Sequence, residues 1–244
     1  MLETVSAVCA TLAGAAIVAF LLLLTRLKSL RRKLDTERRT TDALTEVVVE
    51  FAEFRGSPDA GHARNVRRYT QLLLEELRLR QVAPEILTEH FCRTVARAST
   101  LHDIGKLFLP AEIFLKNGPL TVEERRLMQT HCERGEEFLR SAEERLSFSS
   151  FLGTARHLVI SHHECWNGSG YPFQISGDEI PWEGRVMALV DVYDALRRPK
   201  VYRAAVGHDE CVHAILALSG IQFDPQVVDA FLARQDDFRR LSES

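Results

Sequence analysis

The chain has 244 residues, 45% of them hydrophobic, and a formal net charge of −3. That balance supports one ordinary core with an appendage, and it excludes an intrinsically disordered chain and a broad polyanion-binding surface. Cys9, Cys92, Cys132, Cys165 and Cys211 form no CxxC pair, which excludes a disulfide-stapled secreted scaffold and favours reduced, mostly structural thiols.

The appendage is N-terminal. Val5 to Leu24 is an uncharged apolar run, and as a helix rising about 1.5 Å per residue it has the length to cross a hydrocarbon core of roughly 30 Å. Arg26, Lys28, Arg31, Arg32 and Lys33 follow it at once. The positive-inside tendency then predicts a single-pass anchor in the inner membrane over residues 1–25, with everything after it in the cytoplasm. A cleaved signal peptide fits less well, because the basic residues follow the apolar run.

Residues 26–55 read as a helical linker. Leu27, Leu30, Leu34, Glu37, Thr41, Leu44, Val48 and Phe51 recur at alternating steps of three and four, the pattern of a short parallel coiled coil and thus of a homodimer. An amphipathic helix lying against its own domain explains the pattern equally well, since Glu37 and Thr41 interrupt the seam. Arg55-Gly56-Ser57-Pro58 breaks the pattern and marks a domain boundary.

Residues 56–244 predict an all-α domain, with apolar residues at helical spacing and no internal repeat. Pro84 is read as a helix start, Asn117-Gly118-Pro119 as a turn, Thr121 with Glu124 as a capping box, Gly168 to Pro172 as a tight loop, and Asp224-Pro225 as the opening of a last helix.

The chemistry-bearing residues lie in this domain. His62 and the pair His102-Asp103 are weak signals singly; His131, the pair His162-His163 and Asp191 change the weight. Asp191 stands among Leu189, Val190 and Val192, where a carboxylate needs a cation, a metal or hydrogen bonds. Asp194 shares its helical face. Adjacent helical residues point about 100° apart, so His162 and His163 serve one site only if their helix ends there. Cys132 and Cys165 stand beside candidate ligands, which leaves an accessory or redox-sensitive thiol as a secondary reading.

LHDIGK, LTVEERRLMQTH, HHECWNGSGYP, VDVYDAL and GIQFDPQVVDAF occur in that order, and in them the chain resembles the HD-GYP subgroup of the HD-domain metal-dependent phosphohydrolases from about Gly61 to Phe231. The resemblance implies an HD-domain helical bundle with a C-terminal HD-GYP extension. It also implies hydrolysis of cyclic di-GMP to pGpG and onward to GMP, and leaves a cyclase as an expected partner; no nucleic acid polymer is expected. By position, His62, His102, Asp103 and Asp191 resemble the basic ligand set, and His131, His162 and His163 the additions that hold a second ion. Asp103 would bridge the two ions, and Lys106 would meet the substrate phosphate. Tyr171, Lys200 and Arg203 match substrate-facing positions. Some members carry a third ion on a glutamate where this chain has Pro58, so two ions are expected, with Fe or Mn favoured by the mixed imidazole and carboxylate ligands. Trp166 is read either as a stacking platform for guanine or as packing. A weakly active cyclic-dinucleotide-responsive module and a hydrolase of another cyclic dinucleotide are the alternatives.

Overall fold

The computed structural model describes residues 20–37, 40, 61–114, 116, 118–145, 150–199 and 204–243. The chain divides into two compact units, residues 1–47 and 48–244.

In the first unit residues 20–37 form helix α1. The expected membrane anchor and its inner-membrane placement are corrected here: no helix among the described residues is long and apolar enough to cross a membrane. The described residues of α1 include Phe20 to Leu24 of the apolar run and then carry Arg26, Lys28, Arg31, Arg32, Lys33, Asp35 and Glu37. A span needs about 20 consecutive apolar residues, and charge at this density is incompatible with one. The remainder of the run, residues 5–19, lies outside the described residues, as do residues 38, 39 and 41–55 of the linker.

The second unit is helical, and no strand occurs among its described residues. Its helices are α2 (His62–Leu79), α3 (Glu89–Ala98), α4 (Ala111–Phe114), α5 (Val122–Gln129), α6 (His131–Arg145), α7 (Ser150–Ser161), α8 (Trp182–Arg197), α9 (His208–Ala217) and α10 (Pro225–Ser242). Short 3-10 turns cover Ser99–Leu101, Ile104–Phe108 and Gly177–Glu179. Thr121 and Glu124 form the expected reciprocal cap on α5, and Asp224 caps α10, with Pro225 in its first turn. Pro84 does not start a helix. It lies in a turn where the Ile86 and Leu87 amides donate to Ala83 O, and α3 begins only where Thr88 supplies a side-chain acceptor for the Phe91 amide.

The centre of the unit is α8, whose residues from Trp182 to Val190 are all buried. It packs between α2 and α7 and also meets α10. Tyr69 and Leu73 on α2, Val186, Leu189 and Tyr193 on α8, and Phe231 and Phe238 on α10 form one aromatic and aliphatic core. Tyr69 stacks on Phe238 at 4.7 Å, and Tyr193 meets both edge-on. Each such ring contributes a few kcal/mol by burial, of order 3–5 for Phe→Ala. This framework leaves Asp191 on α8 and His62 at the start of α2 facing the same region.

Candidate metal centre

The seven candidate side chains come from five segments. His62 opens α2. His102 and Asp103 lie between the two 3-10 turns that follow α3. His131 opens α6, His162 and His163 follow the last residue of α7, and Asp191 sits on α8. The end of α7 at Ser161 resolves the His162–His163 problem: with the helix finished, the two rings turn to one side, their centroids 4.1 Å apart.

Two glycines permit the closeness. A Cβ on Gly105 would lie 1.8 Å from His131 O and 2.7 Å from the Gly135 amide nitrogen, so the HD turn rests directly on the α6 backbone. A Cβ on Gly170 would lie 2.4 Å from the Cys165 amide nitrogen and 2.5 Å from His163 O, which presses the Gly170-Tyr171-Pro172 loop onto the pair of histidines. Tyr171 then stacks on His163 with ring centroids 4.7 Å apart.

The local backbone sets three imidazole tautomers. Nδ1 of His102 is 2.9 Å from Ser99 O, Nδ1 of His131 is 2.8 Å from Met128 O, and Nδ1 of His162 is 2.9 Å from Val159 O. A carbonyl only accepts, so each Nδ1 carries the hydrogen, and in the neutral ring each Nε2 presents a lone pair. His62 is oriented in the same sense by the carboxylate of Asp194, 2.7 Å from its Nδ1.

These lone pairs converge. His131 Nε2 is 3.4 Å from His162 Nε2 and 3.4 Å from Asp103 Oδ1. His102 Nε2 lies 3.2 Å from Asp103 Oδ2 and 3.8 Å from Asp191 Oδ1. His102 Nε2 and Asp103 Oδ1 are buried and have no hydrogen-bond partner. Facing acceptors cannot bond one another, and buried unpaired acceptors are costly. The donor set therefore fits cations, and ligand atoms within 4.8 Å of one another form two groups: His62, His102 and Asp103 in one, His131, Cys132, His162 and His163 in the other.

Electrostatics supports the same reading. Burial holds His131 below its ordinary value, lowers His162 to about 3 and depresses His163 well below 6.5, so all three stay neutral and ligand-competent. His102 differs. Burial opposes its charge, yet Asp103 and Asp191 outweigh burial and raise it to about 9, which means that the carboxylates draw positive charge to that position. Burial likewise opposes ionisation of Asp103, but Lys106, His102 and His131 hold its carboxyl well below the usual range. Lys106 Nζ lies 2.5 Å from Asp103 Oδ2 and, against the effect of burial, is held charged by Asp103 and Asp191.

Other assignments fall differently. Lys200 and Arg203 lie outside the described residues, as do Pro58 and Asp59. Trp166 is packing: the buried Arg185 guanidinium lies over its ring at 5.3 Å and over Trp182 at 4.5 Å, and binds Asp224 at 3.2 Å. Two positioning groups were not assigned from the sequence. Asp194 was legible only as sharing a face with Asp191; its partner His62 is distant in the chain. Glu164 is buried and accepts from the Phe173 amide at 2.7 Å, tying the loop after Tyr171 back to the histidine pair. Adjacency to His163 was its only signal.

A model of the HD domain family matches residues 62–227. A Vibrio cholerae protein described as a cyclic di-GMP phosphodiesterase is 38% identical over 212 residues, 87% of this chain and 43% of that protein. A second V. cholerae protein, a probable cyclic di-GMP phosphodiesterase, is 37% identical over 82% of this chain and 46% of its own length. A third from the same species, 3'3'-cGAMP-specific phosphodiesterase 2, is 31% identical over 82% of this chain and 36% of its own length. The chain thus spans less than half the length of these relatives. The crystal structure of a V. cholerae cyclic GMP-AMP phosphodiesterase shares the fold, with a TM-score of 0.52 at 21% identity, covering 81% of this chain and 53% of that one. The family match and the order of the motifs bear out the resemblance seen in the sequence, and the chain belongs to the HD domain family.

Proposed function

We propose that the chain is a metal-dependent phosphodiesterase that opens cyclic di-GMP to linear pGpG, with cleavage to GMP as a further step, and that residues 56–244 are its catalytic unit. The observation that carries this is the convergence of the buried His131 and His162 Nε2 lone pairs beside the unpaired Asp103 oxygen. In this reading His62, His102, Asp103 and Asp191 would hold one divalent ion, and His131, His162 and His163, with Asp103 contributing to both, would hold a second. Fe or Mn suits such mixed ligands. Two ions so held would supply Lewis acidity and a water activated for attack near neutral pH.

The chain's own residues do the rest. Asp103 is the shared anion of the centre. Lys106 is only part-buried and keeps its charge beside Asp103, so its ammonium can turn from Asp103 to donate to a phosphoryl oxygen and offset the negative charge that builds there. Tyr171 walls one side by stacking on His163. Lys200 and Arg203 are proposed as further phosphate contacts.

The relative described as cGAMP-specific favours a second reading, in which the same centre acts on a hybrid cyclic dinucleotide. A panel of cyclic di-GMP, 3'3'-cGAMP and cyclic di-AMP, with metal-reconstituted protein and an Asp103→Ala control, decides between them. Activity surviving Asp103→Ala refutes the assignment of the centre. Binding of a cyclic dinucleotide without turnover in the metal-loaded protein would instead establish a responsive module. The proposed homodimer draws support from Leu27, Leu30 and Leu34, which are exposed on α1; sedimentation at several salt concentrations tests it, since Arg26, Arg31 and Lys33 flank that seam with like charge. Co-purification tests the cyclase partner.

A further inference from the structure

Cys132 is fully buried, and its Sγ lies 3.5 Å from His131 Nε2. Its sulfur belongs to the group in which the ligand atoms of His131, His162 and His163 lie within 4.8 Å of one another. An independent observation says that this group awaits a cation. His131 and His162, each only 1% exposed, have their hydrogens fixed on Nδ1 by backbone carbonyls, yet their Nε2 lone pairs face one another at 3.4 Å.

The geometry points to Cys132 as a thiolate ligand of the ion held by His131, His162 and His163, making that position one of mixed sulfur and nitrogen donors. This deepens the phosphodiesterase reading and rests on its metal centre. Ligation replaces the S–H bond with a sulfur–metal bond and releases one proton to solvent, with no change of oxidation state. The chemical consequence is selectivity. An S,N donor set favours Zn2+, Fe2+, Co2+ or Cd2+ over the harder Mn2+ and Mg2+, whereas the group of His62, His102 and Asp103 contains only nitrogen and oxygen. The two positions then prefer different ions. Cysteines elsewhere do not share this setting: among the described residues Cys92 and Cys211 are buried and belong to no histidine group, and Cys165 follows the histidine pair without joining the group.

Co2+ alone is a sufficient probe. The full chain is stripped with chelator under anaerobic reducing conditions, titrated with Co2+, and followed by absorption. Visible ligand-field bands report occupancy of the centre, and a near-ultraviolet sulfur-to-cobalt charge-transfer band reports the thiolate. The wild type is expected to show both. Cys132→Ser and Cys132→Ala are expected to keep the visible bands and lose the charge-transfer band, and Cys165→Ser to keep both. In competition, the preference of the second position for Cd2+ over Mn2+ should fall by about tenfold or more in the Cys132 variants. Visible bands without charge transfer in the wild type overturn the proposal and leave the metal centre standing, with Cys132 then a buried thiol outside the ligand set. A charge-transfer band that survives in Cys132→Ser, or vanishes in Cys165→Ser, overturns it as well. If no visible bands appear in folded wild-type protein, the metal centre itself fails and the proposal with it.

Discussion

Replacing Gly105 with alanine tests the central claim about how the site is assembled. The added methyl would lie 1.8 Å from His131 O and 2.7 Å from the Gly135 amide nitrogen. An ordinary carbon–oxygen contact is about 3.3 Å or more, so the HD turn and the start of α6 must part by about 1.5 Å. Both obstacles are backbone, and no rotamer change relieves them. Overpacking of this kind costs about 1–3 kcal/mol, and a backbone clash belongs at the upper end. The displacement matters more for the site than for the fold. Asp103 and His131 lie on opposite sides of that contact with their ligand atoms 3.4 Å apart, whereas metal–ligand distances tolerate only about 0.2 Å. Gly105→Ala should therefore lose at least one ion per chain by elemental analysis, lose activity, and retain a cooperative unfolding transition lowered by about 3 kcal/mol in denaturant titration. A variant with wild-type metal content and stability would refute the claim that this close approach positions the centre.

Three more outcomes follow from the structure. Asp194→Asn weakens the hydrogen bond that orients His62 and should lower metal affinity about 10–100-fold in chelator competition; unchanged affinity would remove Asp194 from the positioning shell. Asp224→Ala removes the buried carboxylate partner of Arg185, which keeps the exposed Asp178 and the Ile180 and Asp178 carbonyls, and it removes the side-chain cap of α10, so unfolding free energy should drop by about 2–4 kcal/mol, and a loss below ~1 kcal/mol would contradict that account. His157 is raised above 6.5 by its bond to the buried Glu183. A raised folded-state value adds stability that is fully present below 6.5 and fades as pH rises through the higher value. His157→Gln should thus destabilise the protein near pH 5 and leave it unchanged well into alkaline pH, by less than ~1 kcal/mol because the imidazole is 65% exposed; a pH-independent loss would rule out the linkage.

What the sequence made legible was chemistry set against its surroundings. Asp191 stood out because Leu189, Val190 and Val192 are apolar, and the histidine pair because a helix cannot aim two neighbours at one point unless it stops. What it concealed was tertiary. Periodicity told which face Asp194 shares, but not that His62 meets it there. Trp166 was undecided until Arg185 arrived from α8 to cover its ring. Cys132 read first as a structural thiol, with an accessory or redox-sensitive role second, since only the fold brings its sulfur to the imidazoles across from it. The N-terminal expectation failed for a different reason: apolar length was weighed over 5–24, while the described part of that helix, residues 20–37, has five residues of the run followed by seven charged ones.

The donors are contributed by segments scattered from the first helix of the second unit to its most enclosed one, so no fragment and no partly folded intermediate can assemble them. Ion occupancy then behaves as a clasp on the whole unit. By mass action a ligand present at 100 times its dissociation constant deepens the native well by about 2.7 kcal/mol, and withdrawing it returns that margin to the unfolded chain. Scarcity of the ion in a cell would lower the amount of this protein as well as the turnover of each copy.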